Sequence, residues 1–347
     1  MRIIFILAFC FISLVSGMAQ MDIPNLLSVP FPTNLVGSDN GNIIAWVFND
    51  KGERNIFIAK APNFEAKKLT SYSGDEGLEI GSLRFSRMGR YLAFVRGNAP
   101  NSKGEPANPA QLLTSTERTI WMIDMETDSL QKIGAGIAPA FSPDGAKLIY
   151  LNRGEVWQFT AGKKLEPTKL FFVRSGVQSL RWSPDGSKIA FVANRGDHAF
   201  IGYYDLKSNK VVYVDPSVDN DSDPAWSPDG NSLAYIRSPF EKDRLLFVPK
   251  RQGHPWSIRI HHVLSGETKD LWRASPGQGS ILFDELPVTA NKLIWAKGNQ
   301  LIFPWENNGW QQLYAFDMNT RMVKHLTPGE GEVENAEISQ DLSTLYR

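Results

Sequence analysis

The sequence predicts an all-β fold, a β-propeller of four-stranded blades, and three observations predict it. A Ser-Pro-Asp-Gly hairpin recurs along the chain. Its three strongest copies, at Ser142, Ser183 and Ser227, are 41 and 44 residues apart, the length of one propeller blade. Between copies, apolar and polar residues alternate in four short runs, which is the strand content of a blade. About six blades and the start of a seventh are expected, with the ring incomplete at its C-terminal end.

The hairpins come first. Pro139-Ala140-Phe141-Ser142-Pro143-Asp144-Gly145 leads into Lys147-Leu148-Ile149-Tyr150. Leu180-Arg181-Trp182-Ser183-Pro184-Asp185-Gly186 leads into Lys188-Ile189-Ala190-Phe191, and Pro224-Ala225-Trp226-Ser227-Pro228-Asp229-Gly230 into Ser232-Leu233-Ala234-Tyr235. Weaker copies stand at Leu83-Arg84-Phe85-Ser86-Arg87-Met88-Gly89 and Ala336-Glu337-Ile338-Ser339-Gln340-Asp341. Pro presets φ, Asp bonds its own backbone, and Gly relieves the exit from the turn.

The elements then follow in order. Met1 and Arg2 precede an apolar run over 3–15, followed by Gly17 and Ala19 at the small-residue positions of a signal cleavage site. Residues 1–19 are therefore expected to be a signal peptide cleaved after Ala19, too short in its apolar part to span a bilayer. The only cysteine, Cys10, lies inside it, so the mature chain has no disulfide or thiolate chemistry. Residues 20–42 read as a lead-in segment, and 43–347 as the propeller. Blades are expected near 43–70, 83–133, 139–171, 179–213, 224–273 and 281–327, with a partial blade at 336–347. A polar insertion over 97–117, with Pro100, Pro106 and Pro109, lengthens the second blade. A second long loop covers 240–255. The sixth blade lacks the motif and is placed on Leu293-Ile294-Trp295-Ala296 and Leu301-Ile302-Phe303-Pro304-Trp305. The partial last blade suggests a fragment of a longer polypeptide. The rival expectation is ring closure by a strand from 25–36.

Composition excludes several functions. There are 37 basic and 37 acidic residues without blocks of either sign, so no nucleic-acid footprint or polybasic membrane patch is present. The 42% hydrophobic content suits a large packed core. No Gly-x-Ser-x-Gly nucleophile motif occurs. Gly37-Ser38-Asp39-Asn40-Gly41 has its serine one place early and reads as a loop. His198, His254, His261, His262 and His325 have no metal-binding spacing. Asp219-Asn220-Asp221-Ser222-Asp223 lacks the later calcium-loop ligands, with Pro224 and Gly230 where glycine and a carboxylate are needed. It reads as an acidic turn entering a strand. No cofactor and no metal are expected, and the oligomeric state is left open.

The Ser-Pro-Asp-Gly hairpins resemble the TolB-type repeat, found in TolB and in the propeller of the prolyl oligopeptidase family of serine peptidases. The segments Ile236-Arg237-Ser238-Pro239, Gly253-His254-Pro255-Trp256-Ser257-Ile258, Phe303-Pro304-Trp305-Glu306-Asn307-Asn308-Gly309-Trp310 and Leu326-Thr327-Pro328-Gly329 resemble the dipeptidyl peptidase IV-like branch. That resemblance implies an exported, periplasmic or extracellular peptidase. It also implies a C-terminal α/β-hydrolase domain, absent from this chain, that carries nucleophile and base. The propeller then gates and positions peptide substrates. The paired glutamates that bind a substrate's amino end in that branch are missing here. Glu306, flanked by Trp305 and Trp310, is the candidate to meet a cationic amine, and Glu241 and Arg244 are candidates for a peptide's ends. The alternative is a free-standing TolB-like periplasmic propeller that binds a protein partner. TolB carries an α/β domain before its propeller, for which 20–42 leaves no room. A propeller enzyme built around a central metal lacks any convergent ligand set.

Overall fold

The computed structural model describes residues 29–109, 111, 113, 116–163, 165–240, 255–277, 279–282, 292–339 and 341–346. The expected signal peptide, Cys10, Glu241, Arg244 and His254 lie outside the described residues.

Six four-stranded blades follow one another. The first holds β1 (Phe31–Gly37), β2 (Ile43–Asp50), β3 (Glu53–Lys60) and β4 (Lys67–Lys68). The second holds β5 (Ile80–Phe85), β6 (Tyr91–Arg96), β7 (Thr119–Asp124) and β8 (Ser129–Ala135). The third holds β9 (Ile137–Phe141), β10 (Lys147–Asn152), β11 (Glu155–Thr160) and β12 (Thr168–Phe171). The fourth holds β13 (Val177–Trp182), β14 (Lys188–Asn194), β15 (Ala199–Asp205) and β16 (Lys210–Val214). The fifth holds β17 (Asn220–Trp226), β18 (Ser232–Ser238), β19 (Ser257–His262) and β20 (Thr268–Arg273). The sixth holds β21 (Ile294–Ala296), β22 (Gln300–Trp305), β23 (Gln312–Asp317) and β24 (Val323–His325), and a two-stranded hairpin of β25 (Glu337–Ile338) and β26 (Leu345–Tyr346) follows it. Within each blade the strands pair in chain order. Between blades four and five one parallel strand pairing is formed, Ala199 with Asn220. First strands of successive blades lie side by side, β1 by β5, β5 by β9, β9 by β13 and β13 by β17, so they surround the ring axis.

The second strand of each blade is apolar on both faces, as a strand buried on both sides must be. In β6, Leu92 and Phe94 join a core cluster with Ala45, Val47, Ile56 and Ile58 of the first blade. Tyr91, Ala93 and Val95 point the other way, into a cluster with Leu148, Tyr150 and Phe159 of the third. The same sharing recurs between blades three and four, four and five, and five and six.

The Ser-Pro-Asp-Gly turns form as their residues dictate. Ser183 N donates to Lys188 O at 2.9 Å and Gly186 N to Ser183 O at 2.9 Å. Ser183 Oγ accepts from Lys188 N at 2.9 Å and donates to Asp185 Oδ1 at 2.6 Å, which in turn accepts from Ser187 N at 3.0 Å. Gly186, at φ +69°, sits where a side chain would touch Pro143 of the preceding turn, and Gly230 likewise faces Pro184. The turns therefore stack around one face of the ring.

Two readings change. Gly37-Ser38-Asp39-Asn40-Gly41 is a further copy of this turn: Ser38 Oγ donates to Asn40 Oδ1 at 2.7 Å and accepts from Ile43 N at 3.0 Å. Asparagine fills the aspartate role and no proline marks the place. The structure also finds β1 inside the 20–42 segment read as a lead-in, paired with β2 as the inner strand of the first blade. In the sixth blade, Lys297-Gly298-Asn299 replaces the motif, with Gly298 and Asn299 at φ +76° and +63°.

Candidate functional face

Antiparallel order divides the connections between two faces. The Ser-Pro-Asp-Gly turns lie on one, here the turn face. The links between second and third strands and between blades lie on the other, the loop face. The chain leaves and re-enters the strands on this face at Arg96 and Thr119, at Ser238 and Ser257, and at Arg273 and Ile294.

First strands enter from the loop face through a bulge. Asn34, Ser82, Ala138, Ser179 and Asp223 occupy equivalent places in blades one to five, each with φ between +52° and +55°, and the pairing register shifts beside each. Bulges re-aim side chains at strand ends, and non-glycine residues in this region carry strain.

Two of these bulges, Ala138 and Ser179, line a loop-face cavity of about 870 Å³. The second-blade insertion supplies Asn98, Pro100, Pro106 and Glu117 to its wall. Arg153 Nη2 pairs with Glu117 Oε1 at 3.2 Å across blades. Gly154 and Gly176 approach so closely that a Cβ on Gly154 would lie 3.0 Å from Gly176 Cα. The wall offers backbone polar groups and charges of both signs. Ser175 and Ser179 are among its serines.

Blade five and the segment that leads into it share a charged network. Asp221 and Arg237 are cross-strand partners. Arg237 Nε donates to Asp221 Oδ1 at 2.7 Å and Nη2 to Oδ2 at 2.9 Å, a bidentate pair. Arg237 Nη1 reaches Asp215 Oδ2 at 3.0 Å, and Arg259 Nη2 reaches the same oxygen at 2.9 Å. Arg259 and Arg273 both clasp Asp270 at 2.5 Å. Burial pushes the Asp221 carboxyl up, to about 6, against the pull of Arg237 and Arg259. At neutral pH the pair is ionised. Burial lowers His261, which lies between Thr268 and the charge of His262.

Trp305 and Glu306 end β22 on the loop face. Trp305 is 8% exposed, packs edge-on to Trp272 and Tyr314, and donates its indole N–H to Gly279 O at 2.9 Å. Its ring is therefore part of the core. Glu306 is half-buried and Trp310 is exposed on the turn that follows. The structure does not bring Trp305 and Glu306 to the insertion-lined cavity, which belongs to blades two to four. The acidic run 219–223 works as contacts: Asp219 Oδ1 accepts from Phe240 N at 3.2 Å, Asp221 holds Arg237, and Asp223 Oδ1 accepts from Lys292 N at 3.0 Å. His198 bonds Asp197, His262 bonds Ser232, and His325 stacks on Tyr314. Among the described residues no three His, Cys, Asp or Glu side chains gather as metal ligands, and no helix is long and apolar enough to cross a membrane.

No family model matches the chain. Solved structures do. A prolyl endopeptidase is 13% identical with a TM-score of 0.64, over 91% of this chain and 45% of that one. Dipeptidyl peptidase 4 of Porphyromonas gingivalis is 12% identical with a TM-score of 0.59, over 90% of this chain and 49% of that one. Hydrazine synthase of Kuenenia stuttgartiensis is 13% identical with a TM-score of 0.59, over 92% of each chain. The chain thus spans less than half the length of both peptidases. Likeness at this level of identity carries architecture, and with the blade order and stacked turns it makes this chain a β-propeller.

Proposed function

We propose that the chain is the substrate-gating propeller of an exported serine peptidase, working with an α/β-hydrolase domain that supplies nucleophile and base. The observation that carries this reading is the loop-face cavity of about 870 Å³, whose wall offers backbone polar groups and charges of both signs that can hold a peptide. The resemblance of the 236–239, 253–258 and 303–310 segments to the dipeptidyl peptidase IV-like branch supports the same reading. So does an overlap confined to under half of two peptidase chains. Glu306 is proposed to meet a substrate amine, with Trp305 anchoring the turn that carries it. Glu241 and Arg244 are proposed to meet a peptide's ends.

Sequencing the gene beyond the codon for Arg347 tests this. An open frame with Gly-x-Ser-x-Gly followed by Asp and His is expected. A stop codon with no hydrolase frame behind it overturns the reading. It would leave the second one, a free-standing TolB-like propeller in the periplasm that binds a protein partner, which is favoured by a cavity fit for binding.

A further inference from the structure

The turn face holds a second cavity, of about 560 Å³, at the ends of the first strands, where a central channel would open. It lies on the opposite face from the loop-face cavity. Its wall includes Arg84, Arg87, Arg181, Asp39 and Trp182.

Arg84 and Arg181 hold the same place in the repeat, the residue before the first-strand aromatic, in blades two and four. The blade between them has Ala140 there, which leaves space where a third long side chain would stand. Each arginine donates Nη1 only to the carbonyl beside it, Arg84 to Leu83 O at 2.8 Å and Arg181 to Leu180 O at 2.9 Å. Arg181 Nε is buried and has no hydrogen-bond partner. Trp182 offers it no acceptor, and its own indole N–H donates to Ala140 O at 3.3 Å.

The electrostatics agree. Burial draws both guanidinium groups below their ordinary values; Glu337 opposes this at Arg84, and Asp223 opposes it at Arg181. The two cations also repel each other, as the field of Arg84 at Arg181 shows. Asp223 is already engaged with the backbone of Lys292. Among the described residues, neither arginine has a carboxylate in ion-pair contact. The one carboxyl in the wall, Asp39, is itself raised by burial, against the pull of Arg87. Three guanidinium groups, Arg181 half-buried and Arg84 and Arg87 exposed, face the carboxyl of Asp39. A buried donor or cation without a partner is costly, and an entering oxyanion removes that cost. Guanidinium forks match the planar geometry of a carboxylate. Phe85, Phe141 and Trp182 in the same wall supply apolar surface for an organic body behind the charge.

We propose that the turn-face mouth of the channel is a binding site for an organic carboxylate, held between Arg84 and Arg181. The site is independent of whether a hydrolase domain accompanies the propeller. It gives the ring a second, charge-selective opening.

Isothermal titration of the full chain at low ionic strength tests it, with three probes: N-acetyl-trialanine as the free acid, the same peptide as its C-terminal amide, and inorganic phosphate. The free acid is expected to bind at least about tenfold more tightly than the amide, and to weaken as salt is raised. Arg181→Met should abolish the preference for the acid, while Arg181→Lys should keep part of it. Equal binding of acid and amide would overturn the proposal, as would binding of phosphate alone, or an acid preference that survives in the Arg84→Met/Arg181→Met double variant. Melting temperature adds a readout that needs no ligand. Removing a half-buried cation that has no ion-pair contact among the described residues should leave it unchanged or raise it, and a large fall in Arg181→Met would count against the site.

Discussion

Replacing Asp221 by alanine is the sharpest test of how the first two strands of blade five are held together. The Asp221 side chain is fully buried and that of Arg237 is 10% exposed. The substitution removes both bonds of the bidentate pair and leaves a guanidinium in the interior. Breaking a buried pair from one side costs about 3–5 kcal/mol. Arg237 keeps Asp215 at 3.0 Å, and Asp215 is 37% exposed, so the lower end, about 3 kcal/mol, is expected. With a urea dependence of about 3 kcal/mol per M, the unfolding midpoint should fall by about 1 M. Urea titration followed by tryptophan fluorescence reads this directly. The double variant Asp221→Leu/Arg237→Met removes both charges together and should recover much of the loss, because no uncompensated ion remains. A single-variant loss below about 1 kcal/mol, the value of an exposed pair, would refute the claim that this network is a buried structural element. So would a double variant no better than the single.

Other outcomes follow from the same geometry. Gly279 has φ +78° and its carbonyl accepts both the Trp256 and Trp305 indole N–H groups. A Cβ there would lie 2.7 Å from Trp305 Nε1, so Gly279→Ala should destabilise by at least the ~1–2 kcal/mol of a left-handed residue, with a shifted tryptophan emission; an unchanged melting curve and spectrum would contradict this. Trp226 donates its indole N–H to Arg181 O at 3.1 Å, tying blade five to blade four. Trp226→Phe should lower stability by about 1 kcal/mol, and no change in chemical denaturation would show the tie to be idle. The turn aspartates set the acid limit. Hydrogen bonds, led by Ser142 at Asp144 and Ser227 at Asp229, hold those two carboxyls below the usual range. Burial opposes the charge of Asp185, but its bonds from Ser183 and Ser187 hold it at about 2. Because these values are depressed in the fold, their stabilisation is present above the ordinary aspartate value and is lost as pH falls through the folded values. Melting temperature should drop between pH 4 and about 2, and less steeply in a triple Asp→Asn variant; equal slopes would rule the turns out as the source.

Much of the fold was legible because its signals are local. Ser142-Pro143-Asp144-Gly145 writes turn type, strand direction and blade spacing into four residues. Where one chemical substitute sufficed, the signal vanished. Asn40 does the work of aspartate without a neighbouring proline, so Ser38 reads as a loop serine, and the strand that 25–36 offers as a rival expectation is not placed in the first blade. Lys297-Gly298-Asn299 turns the sixth blade with two left-handed residues and no serine at all. The candidate sites were harder to see because they depend on register and on the ring. Asp221 and Arg237 are 16 positions apart and meet only because β17 and β18 pair in one alignment. Arg84 and Arg181 are separated by two blade lengths and share a channel only once the first strands surround an axis. Their one trace in the sequence is positional, arginine before the aromatic in two copies of the motif and alanine in the copy between. Trp305 was legible as aromatic and near a charge, but only packing reveals that its indole is committed to Gly279.

The two-sided second strands have a consequence for how such a chain can change length. Because each core cluster is filled half from one blade and half from the next, the coherent module is the seam between blades. A duplication or deletion of one repeat length therefore heals wherever its ends fall, since any cut rejoins a left half to an equivalent right half. An indel of an odd number of residues inside a second strand cannot heal. It shifts Leu92 and Phe94, or their counterparts, from one seam to the other and spoils two cores at once. Variation in length is thus channelled into whole repeats and into the loop face, where the long connections already lie.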